Sequence, residues 1–297
     1  MTLQIIDGKA LANQIKEELK LEVEHWVENG GKRPHLAAVL VGDDPASQAY
    51  VRNKVKSCEQ VGFQSTLLKY EADMAEDDLL DIVKGLNENP EIDGYIVQLP
   101  LPKHIDENKI LLAIDYRKDV DGFHPVNFGR MAQGLDSYLP ATPMGILTML
   151  DRYNIETSGK DVVVLGRSNI VGTPISILLS RKAKVGNATV TLTHSRTSDL
   201  EGHLKRADII VAAIGIPLFV KKEMVKQGAV IIDVGINRVT SPDTKSGYKL
   251  VGDVDYDHVA PKCSHITPVP GGVGPMTVVS LLQNTMKAAK ETIYNKP

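Results

Sequence analysis

Short apolar runs that alternate with helical patterns are the feature that most constrains the fold of this chain. In the first half, HLAAVLVG, FQSTLLKYE and IDGYIVQLPLP have the composition of strands, and LQIID precedes the first helical pattern. The second half repeats the arrangement with KDVVVLG, ATVTLTHS, ADIIVAAIG and AVIIDVG. Strands separated by helices at this spacing indicate mostly parallel sheets joined by right-handed crossovers. The chain is therefore predicted to be an α/β protein of two sheets.

The predicted domain boundary lies near residue 140. A length of 297 residues is enough for two domains, and ATPMGILTMLDRYNI, at about 141–155, predicts a helix that joins them. We expect an N-terminal α/β domain over 1–140 and a Rossmann-like domain over 141–275, with a cleft between them. The stretch from Met276 to Tyr294 predicts one long helix, and the C-terminal segment 276–297 is expected to pack back on the first domain.

Composition and charge disfavour several classes of protein. The formal net charge is −3 and no basic run stands out, so nucleic acid is not an expected partner. The longest near-apolar run, IIVAAIGIPLFV, is shorter than the roughly 18 residues that a membrane-spanning helix needs. The two cysteines, Cys58 and Cys263, are far apart, which argues against a zinc site built from cysteine and for a reducing compartment. We expect a cytoplasmic protein without a metal.

The stretch GDDPASQAYVRNKVKSCEQVG predicts a helix that carries Tyr50 and Lys54 one turn apart. Helical spacing places both side chains on one face. We expect this face to lie off the core stripe formed by Val51, Val55 and Cys58. An amphipathic helix with a Tyr and a Lys at the edge of its buried side is the structural alternative. The start of the helix is well marked, because an Asp-Pro pair at 44–45 supplies a cap and a favourable first residue.

The segment VVVLGRSNIVGTP, residues 162–174, has the strand–turn–helix setting that a dinucleotide pyrophosphate needs. A buried strand leads into Gly166, and Gly172 opens an apolar helix. The segment departs from G-x-G-x-x-G, because Ser168 stands where the second glycine would be. A tight turn in any doubly wound sheet is the structural alternative.

The next strand, in ATVTLTHSRT, ends in hydroxyls and a cation where an NAD site commonly has an acidic residue. Ser195 and Arg196 suit a ribose 2′-phosphate, and Arg167 in the preceding loop is a second candidate cation. The sequence therefore favours NADP over NAD. A polar loop that happens to contain Arg is the alternative.

Three further features stand out as candidate ligand contacts. Gln98 is the one strongly polar residue in the apolar strand YIVQL, near the carboxyl end where ligands meet open α/β sheets. Asp121 precedes a glycine in RKDVDGFHP, and a simple Asp-Gly turn is its structural alternative. TPVPGGVGPMT, residues 267–277, is a loop whose glycines allow close approach of the backbone to a flat ligand.

Taken together, these segments resemble the methylenetetrahydrofolate dehydrogenase/cyclohydrolase family. The resemblance covers essentially the whole chain, in the order YVRNK, YIVQLPLP, KDVDGFHP, VVVLGRSNIVGTP, THSRT, DVGINR and TPVPGGVGPMT. Each motif alone is weak evidence for the family, but the occurrence of all of them in this order is strong evidence. The first domain would then be the catalytic, folate-binding domain and the second the NADP-binding domain.

The resemblance also implies roles for individual residues. Tyr50 would pack along the aminobenzoyl ring of the folate, Lys54 would be the catalytic cation or base, and Gln98 would hold and polarise Lys54. Asp121 would accept hydrogen bonds from the pterin. Further folate contacts implied by the family are Val97, Leu99, Pro268, Pro270, Gly271, Gly272, Val273, Gly274 and Pro275. Cofactor contacts would be Gly166, Arg167, Ser168, Gly172, Ser195, Arg196 and Ile236.

The implied activity is oxidation of 5,10-methylenetetrahydrofolate with NADP⁺, followed by hydrolysis of the methenyl product to 10-formyltetrahydrofolate. The family further implies a homodimer, tetrahydrofolate derivatives as the small-molecule partners, and a place in one-carbon metabolism that serves purine and amino-acid biosynthesis. Two alternatives stay open: a two-domain NADP-dependent oxidoreductase of a small hydroxy acid, and a non-catalytic NADP-binding regulator. A short-chain dehydrogenase is disfavoured, because its Tyr-x-x-x-Lys motif follows the nucleotide fingerprint within one domain.

Overall fold

Two parallel sheets organise the chain in a computed structural model that describes residues 2–242, 244 and 247–295. The chain divides into two compact units. One contains the residues up to Ala12 together with Thr142–Thr277, and the other contains Asn13–Ala141 and the chain from Val278 onward. Of the predicted C-terminal segment, positions 296 and 297 lie outside the described residues, as does position 1 of the predicted first domain.

The helices and strands follow the predicted alternation closely. The strands are β1 (Gln4–Ile5), β2 (His35–Val41), β3 (Gln64–Tyr70), β4 (Gly94–Val97), β5 (Asp161–Leu165), β6 (Thr189–Thr193), β7 (Ile209–Ala212), β8 (Val230–Asp233), β9 (Asn237–Thr240), β10 (Tyr248–Val251) and β11 (His265–Ile266). The helices are α1 (Gly8–Glu28), α2 (Pro45–Val61), α3 (Glu76–Glu88), α4 (Glu107–Ala113), α5 (Pro125–Ala132), α6 (Ala141–Arg152), α7 (Gly172–Ser180), α8 (Leu200–Arg206), α9 (Tyr256–Val259) and α10 (Val273–Ala289). Short 3₁₀ turns occur at Lys222–Met224 and Ala260–Lys262.

The smaller sheet has the order β3-β2-β4, and all its pairings are parallel. Its central strand β2 is buried on both faces. Successive side chains of a strand point to opposite sides, and here each side is covered by helices. Leu36, Ala38 and Leu40 join one apolar cluster with residues of α1, α2 and α10. Ala37 and Val39 join a second cluster with residues of α3 and α4. This arrangement explains why HLAAVLV is a continuous apolar run.

The last helix contributes to this unit through its C-terminal part. Leu281, Leu282 and Met286 are buried in the cluster with α1 and α2. The side-chain amide of Asn284 donates to the carbonyl oxygens of Val120 and Leu139, both at 2.9 Å. The helix thereby fixes the backbone immediately before position 121.

The larger sheet has the order β1-β11-β8-β7-β5-β6, and every pairing in it is parallel. Strand β5 lies between β6 and β7, so the chain leaves β5 toward one side and returns to the other. This reversal is the topological switch point at which doubly wound sheets bind ligands.

The first strand is placed differently from the sequence-based expectation. LQIID is expected to open the first domain, but β1 pairs with β11 in the larger sheet. The Gln4 N–H donates to the Ser264 carbonyl and the Ile6 N–H to the Ile266 carbonyl, both at 2.8 Å. A two-residue strand has too little pattern to indicate which sheet it completes.

Two further features differ from the expected outline. An antiparallel ribbon of β9 and β10 adds a third, two-stranded sheet to the two that were predicted. The last helix runs from Val273 to Ala289, whereas it was expected to run from Met276 to Tyr294. Pro275 is compatible with this earlier start, since a proline in the first turn removes an N–H that has no partner within the helix.

Candidate active site and nucleotide site

Helix α2 presents Lys54 on its buried face. The helix starts as predicted, with the Asp44 carboxylate accepting from the Ser47 N–H at 2.7 Å. Its buried residues recur at helical spacing and include Val51, Lys54 and Cys58. Lys54 is only 9% exposed, so the expectation that it lies off the core stripe is wrong. The side chain is part of the stripe, because its amine finds a polar partner at the end of a strand.

That partner is Gln98, one residue beyond β4. The Lys54 amine donates to Gln98 Oε1 at 3.2 Å. The Gln98 amide donates to the Leu99 carbonyl oxygen at 2.7 Å, and its backbone N–H donates to Val39. These bonds fix the orientation of the side chain, so that the amide oxygen faces the lysine. The pairing predicted for Lys54 and Gln98 is therefore present in the geometry.

Burial shifts the protonation equilibria of the two charged groups at this site. Desolvation lowers the pKa of Lys54, and the negative charge of Asp121 opposes this shift. Desolvation raises the pKa of Asp121, opposed by the charge of Lys54. Loss of water favours the neutral form of each group. A neutral amine at this position can accept a proton.

The loop that carries Asp121 is held by a neighbour that the sequence analysis missed. Asp119 is buried, and its carboxylate accepts from the Phe123 N–H at 3.2 Å, the His124 N–H at 2.8 Å and the Asn127 amide at 2.9 Å. Desolvation raises the pKa of Asp119 to about 7. The only sequence signal was a second Asp in KDVDG, two positions before Asp121.

The other predicted folate residues of this unit lie near Lys54 or Gln98 along the chain. Tyr50 lies one turn before Lys54 and is 40% exposed. Val97 is buried at the end of β4, and Leu99 is partly buried beyond it. Arg52 and Lys56 are exposed, as their helical positions predict.

The predicted glycine-rich loop lies in the other unit. The Gly271 carbonyl accepts from the Lys9 N–H at 2.8 Å, and Gly271 has a φ of +107°. A Cβ on Gly272 would approach the Pro268 carbonyl oxygen at 2.6 Å. A Cβ on Gly274 would lie 3.4 Å from Ile236. The remaining predicted positions, at 270, 273 and 275, continue this loop into α10. Close backbone packing therefore accounts for the glycine at 272, and folate contacts of the loop stay a prediction.

The turn after β5 needs both of its glycines. Gly166 has a φ of +111°, and a Cβ there would collide with the Ala213 carbonyl oxygen. A Cβ on Gly172 would collide with the Gly166 carbonyl oxygen. The turn and the segment after β7 thus pack backbone to backbone at the switch point. This geometry fits a nucleotide-binding crevice.

Ser168 lies in the turn that leads from β5 into α7. Its hydroxyl oxygen accepts from the N–H groups of Val171 and Gly172 at 3.2 and 3.3 Å. These two N–H groups at the start of α7 therefore have a side-chain partner within the chain. The hydroxyl proton of a serine can still be donated to a phosphate oxygen.

The strand β6 ends next to this turn. Leu165 and Thr193 are paired in register, and the Gly166 N–H donates to the Thr193 carbonyl at 3.0 Å. Ser195 and Arg196 follow two and three residues later and are exposed, as is Arg167 in the adjacent loop. The two arginines and the serine thus follow the carboxyl ends of two neighbouring strands, and their contact with a phosphate stays a prediction.

The described part of the chain lacks two kinds of feature. Among these residues, no group of three or more His, Cys, Asp or Glu side chains is arranged to hold a metal ion. No described helix combines the length and apolar character needed to cross a bilayer.

A doubly wound sheet with a glycine turn at its switch point in one unit, and a buried lysine in a second α/β unit, are typical of a two-domain nucleotide-dependent enzyme. The defining pattern of the tetrahydrofolate dehydrogenase/cyclohydrolase catalytic domain matches residues 6–121, and that of its NAD(P)-binding domain matches residues 140–293. The chain belongs to the tetrahydrofolate dehydrogenase/cyclohydrolase family. The predicted family, the α/β fold class with two domains and the prediction of an enzyme are confirmed.

Individual relatives are similar over nearly their whole length. The chain is 61% identical to the bifunctional protein FolD of Bacteroides fragilis over 292 residues, which is 98% of this chain and 100% of that protein. The crystal structure of the bifunctional enzyme from Campylobacter jejuni is 45% identical, with a TM-score of 0.91 over 98% of this chain and 100% of that one. The Trypanosoma brucei enzyme, crystallised with NADP and an inhibitor, is 38% identical, with a TM-score of 0.93 over 99% of this chain and 100% of that one.

Proposed function

We propose that this chain oxidises 5,10-methylenetetrahydrofolate to the methenyl form with NADP⁺ and then hydrolyses the methenyl form to 10-formyltetrahydrofolate. Membership in the family and the 61% identity to a bifunctional relative support both activities. The observation that carries the proposal is the buried amine of Lys54, held by Gln98 and with a lowered pKa.

NADP⁺ supplies the hydride acceptor of the first step. The turn around Gly166, with the Ser168 hydroxyl, would hold the pyrophosphate, and Ser195, Arg196 and Arg167 would hold the 2′-phosphate. Charge-assisted hydrogen bonds to such a dianion are about twice as strong as neutral ones. By holding the phosphates, these residues would align the nicotinamide ring with the folate. Hydride transfer depends mainly on this alignment, so no proton transfer by the protein is needed.

Hydrolysis of the methenyl cation depends on Lys54. Water adds to the methenyl carbon and gives one proton to the neutral amine. The protonated amine returns this proton to the ring nitrogen as the bond between that nitrogen and the carbon breaks. The hydroxyl proton of the adduct leaves to solvent as the formyl carbonyl forms. A lowered pKa increases the fraction of free amine near neutral pH, which is the condition for an effective general base. The Gln98 oxygen accepts a hydrogen bond from the amine in both states and keeps it in place.

Asp121 is proposed to bind the pterin. The ring N–H and the amino group of the pterin form a pair of donors, and the two oxygens of a carboxylate can accept from both. The negative charge of the same carboxylate opposes the lowering of the Lys54 pKa that desolvation causes. Tyr50 and the strand end at Val97 and Leu99 are proposed to line the folate site in this unit.

The two alternative functions are disfavoured. Oxidation of a small hydroxy acid would require a cation to anchor the substrate carboxylate, and Asp121 has the opposite charge. A non-catalytic NADP-binding regulator would gain nothing from a buried lysine, although removing its amine from water costs free energy. Family membership supports the enzyme over both.

The direct test uses the purified chain with each substrate in turn. With methylenetetrahydrofolate and NADP⁺, absorbance should report formation of NADPH and of the methenyl compound. With the methenyl compound and no nucleotide, hydrolysis should exceed the spontaneous rate. NADP⁺ should be preferred to NAD⁺ in catalytic efficiency, and Arg167→Ala should reduce that preference. Absence of both reactions would contradict the proposal.

We also propose that the chain acts in the cytoplasm as a homodimer formed through the NADP-binding domain, and that its product supplies purine and amino-acid biosynthesis. The family supports these proposals, and bacterial relatives such as that of Bacteroides fragilis are consistent with them. Light scattering during gel filtration tests the dimer directly. A mass of one chain at micromolar concentration would contradict it.

A further inference from the structure

Two buried aspartates lie near the switch point of the larger sheet and have no part in the chemistry described above. Asp233 is the last residue of β8, and Asp253 follows β10. Asp233 is 3% exposed and Asp253 is fully buried. Buried carboxylates are costly unless their oxygens are hydrogen-bonded, so the contacts of this pair indicate what it holds in place.

Asp253 binds the backbone that follows β7. One carboxylate oxygen accepts from the Ile214 N–H at 2.7 Å and from the Gly215 N–H at 3.0 Å. The other oxygen accepts from the Asn237 side-chain amide at 2.9 Å. The side chain therefore fixes the two residues at which the chain turns away from the end of β7.

The segment after β7 forms one side of the switch-point crevice. The chain runs from β5 to β6 on one side and from β7 to β8 on the other, so the crevice opens between the ends of β5 and β7. The segment also packs against the glycine turn, because Gly166 has no room for a Cβ beside the Ala213 carbonyl and Ile214. A shift of residues 214–215 would disturb the turn proposed to hold the pyrophosphate.

Asp233 anchors Asp253 in turn. Its carboxylate accepts from the N–H groups of Asp253 and Val254 at 2.9 and 3.0 Å, and from the Gly235 N–H at 3.0 Å. A Cβ on Gly252 would collide with this carboxylate. The two aspartates thus connect β8, the residues after β10 and the segment after β7 into one rigid support.

We propose that Asp253 is a positioning residue for the nucleotide: it holds residues 214–215 as a preformed wall of the NADP⁺ site. The inference rests on the proposed function, because it takes NADP⁺ as the occupant of the crevice. The carboxylate touches neither substrate nor cofactor in this role and acts through the backbone it binds. Loss of Asp253 should impair the nucleotide-dependent reaction and leave the nucleotide-independent hydrolysis intact.

The test compares Asp253→Ala and Asp253→Asn with wild type and with Asp255→Asn. Asp255 lies two residues further on, pairs with Lys221 and His258 through its side chain, and serves as the matched control for loss of a charge. Each protein is measured for NADP⁺ affinity by calorimetry, for KM and kcat of the dehydrogenase reaction, and for methenyl hydrolysis without nucleotide.

The proposal predicts that the two substitutions weaken NADP⁺ binding to different degrees and leave hydrolysis unchanged. Asp253→Ala should weaken NADP⁺ binding roughly ten- to hundredfold, because two N–H groups lose a charged acceptor. Asp253→Asn keeps one oxygen that can accept from both N–H groups, so it should lose only about fivefold, the change appearing mainly in KM. Hydrolysis should stay within about twofold of wild type in both variants, and Asp255→Asn should match wild type.

Several outcomes would overturn the proposal. One is wild-type affinity in Asp253→Ala. If that variant does not fold, unchanged affinity in Asp253→Asn, or a parallel loss of affinity and hydrolysis there, would also refute it. Wild-type protein that binds no NADP⁺ would overturn the proposed function itself, and this inference with it.

Discussion

Lys54 shows how strongly a single position depends on its surroundings. On the helix surface the amine would be an ordinary cation, but here it is buried beside the Gln98 oxygen, and desolvation lowers its pKa. The pKa shift follows from loss of water, and the hydrogen bond sets the direction of the amine. Lys54 therefore has a larger fraction of free, proton-accepting amine than an exposed lysine at the same pH, and it has a fixed position.

Substitution of Asp121 tests the assignment of the pterin contact. Asp121→Asn should weaken folate binding by one to two orders of magnitude, because an amide presents donors to the donors of the pterin and a charged hydrogen bond is worth about 1.5–3 kcal/mol. NADP⁺ binding should be nearly unchanged, since the nucleotide residues belong to the other unit. Separate titrations of folate and NADP⁺ measure the two effects.

The control for this experiment is Asp73→Asn, which removes an exposed negative charge from the same unit. It should leave both affinities at the wild-type value. Equal losses for folate and NADP⁺ in Asp121→Asn, or no loss of either, would contradict the assignment.

The sequence was sufficient to select candidate site residues, but it was not sufficient to predict their burial and their hydrogen-bond partners. Tyr50, Lys54, Gln98 and Asp121 could be selected because their polar groups interrupt apolar patterns or occur in family motifs. Burial of Lys54 could not be predicted, because Val55 competes with it for the core stripe and only the tertiary partner at Gln98 decides between them. Asp119 escaped notice because its hydrogen-bond donors are groups four to eight residues further on, and Asp253 because its donors lie in distant segments of the chain. Neither arrangement has a local sequence pattern.

At the scale of elements, helix α2 is the support on which Tyr50 and Lys54 are displayed. Its start is fixed by the Asp44 carboxylate, and its end by Gly62, which has a φ of +80° in the left-handed region. Both ends were marked in the sequence, the first by Asp-Pro and the second by glycine. Helix caps satisfy N–H and carbonyl groups that the helix itself leaves without partners.

Loss of the cap should cost stability without affecting chemistry. Asp44→Ala should lower the free energy of unfolding by about 1 kcal/mol, the usual effect of removing an acidic cap. Hydrolysis should persist, because Lys54 lies ten positions further on and is held by Gln98. Urea unfolding monitored by circular dichroism gives the stability, and the methenyl assay gives the activity.

The matched change is Asp43→Ala at the neighbouring position. Asp43 forms an exposed ion pair with Lys69 at 3.1 Å, and such pairs contribute about 0–1 kcal/mol. Asp43→Ala should therefore lower the free energy of unfolding by less than Asp44→Ala does. Equal destabilisation by the two substitutions would argue against a capping role.

Strands and helices with a full repeat of their pattern were predictable, and shorter ones were not. β2 and β7 are apolar runs whose type is evident from composition. β1 has two residues, so its pairing with β11 depends on the larger sheet having an open edge. β9 and β10 are four-residue strands of mixed polar and apolar residues, and neither has the continuous apolar run that marks β7.

At the scale of the whole molecule, two chemical tasks are assigned to two units of one chain. The larger sheet carries the glycine turn and the cations suited to NADP⁺, and the smaller unit carries the lysine, the amide and the aspartate. The two-domain α/β class was predictable, because alternating strands and helices allow few topologies. The assignment of both reactions to one chain came from the joint order of the motifs, and it is the central claim.

The measurement that tests this claim most directly follows methenyltetrahydrofolate in wild type, Lys54→Met and Lys56→Met, with thermal stability recorded on the same preparations. Lys56 is an exposed lysine two positions further along the same helix and controls for loss of a charge. With methylenetetrahydrofolate and NADP⁺, wild type and Lys56→Met should pass through the methenyl form to 10-formyltetrahydrofolate. Lys54→Met should keep part of the oxidation and accumulate the methenyl form, with hydrolysis reduced at least a hundredfold. Hydrolysis at the wild-type rate by folded Lys54→Met would contradict the account.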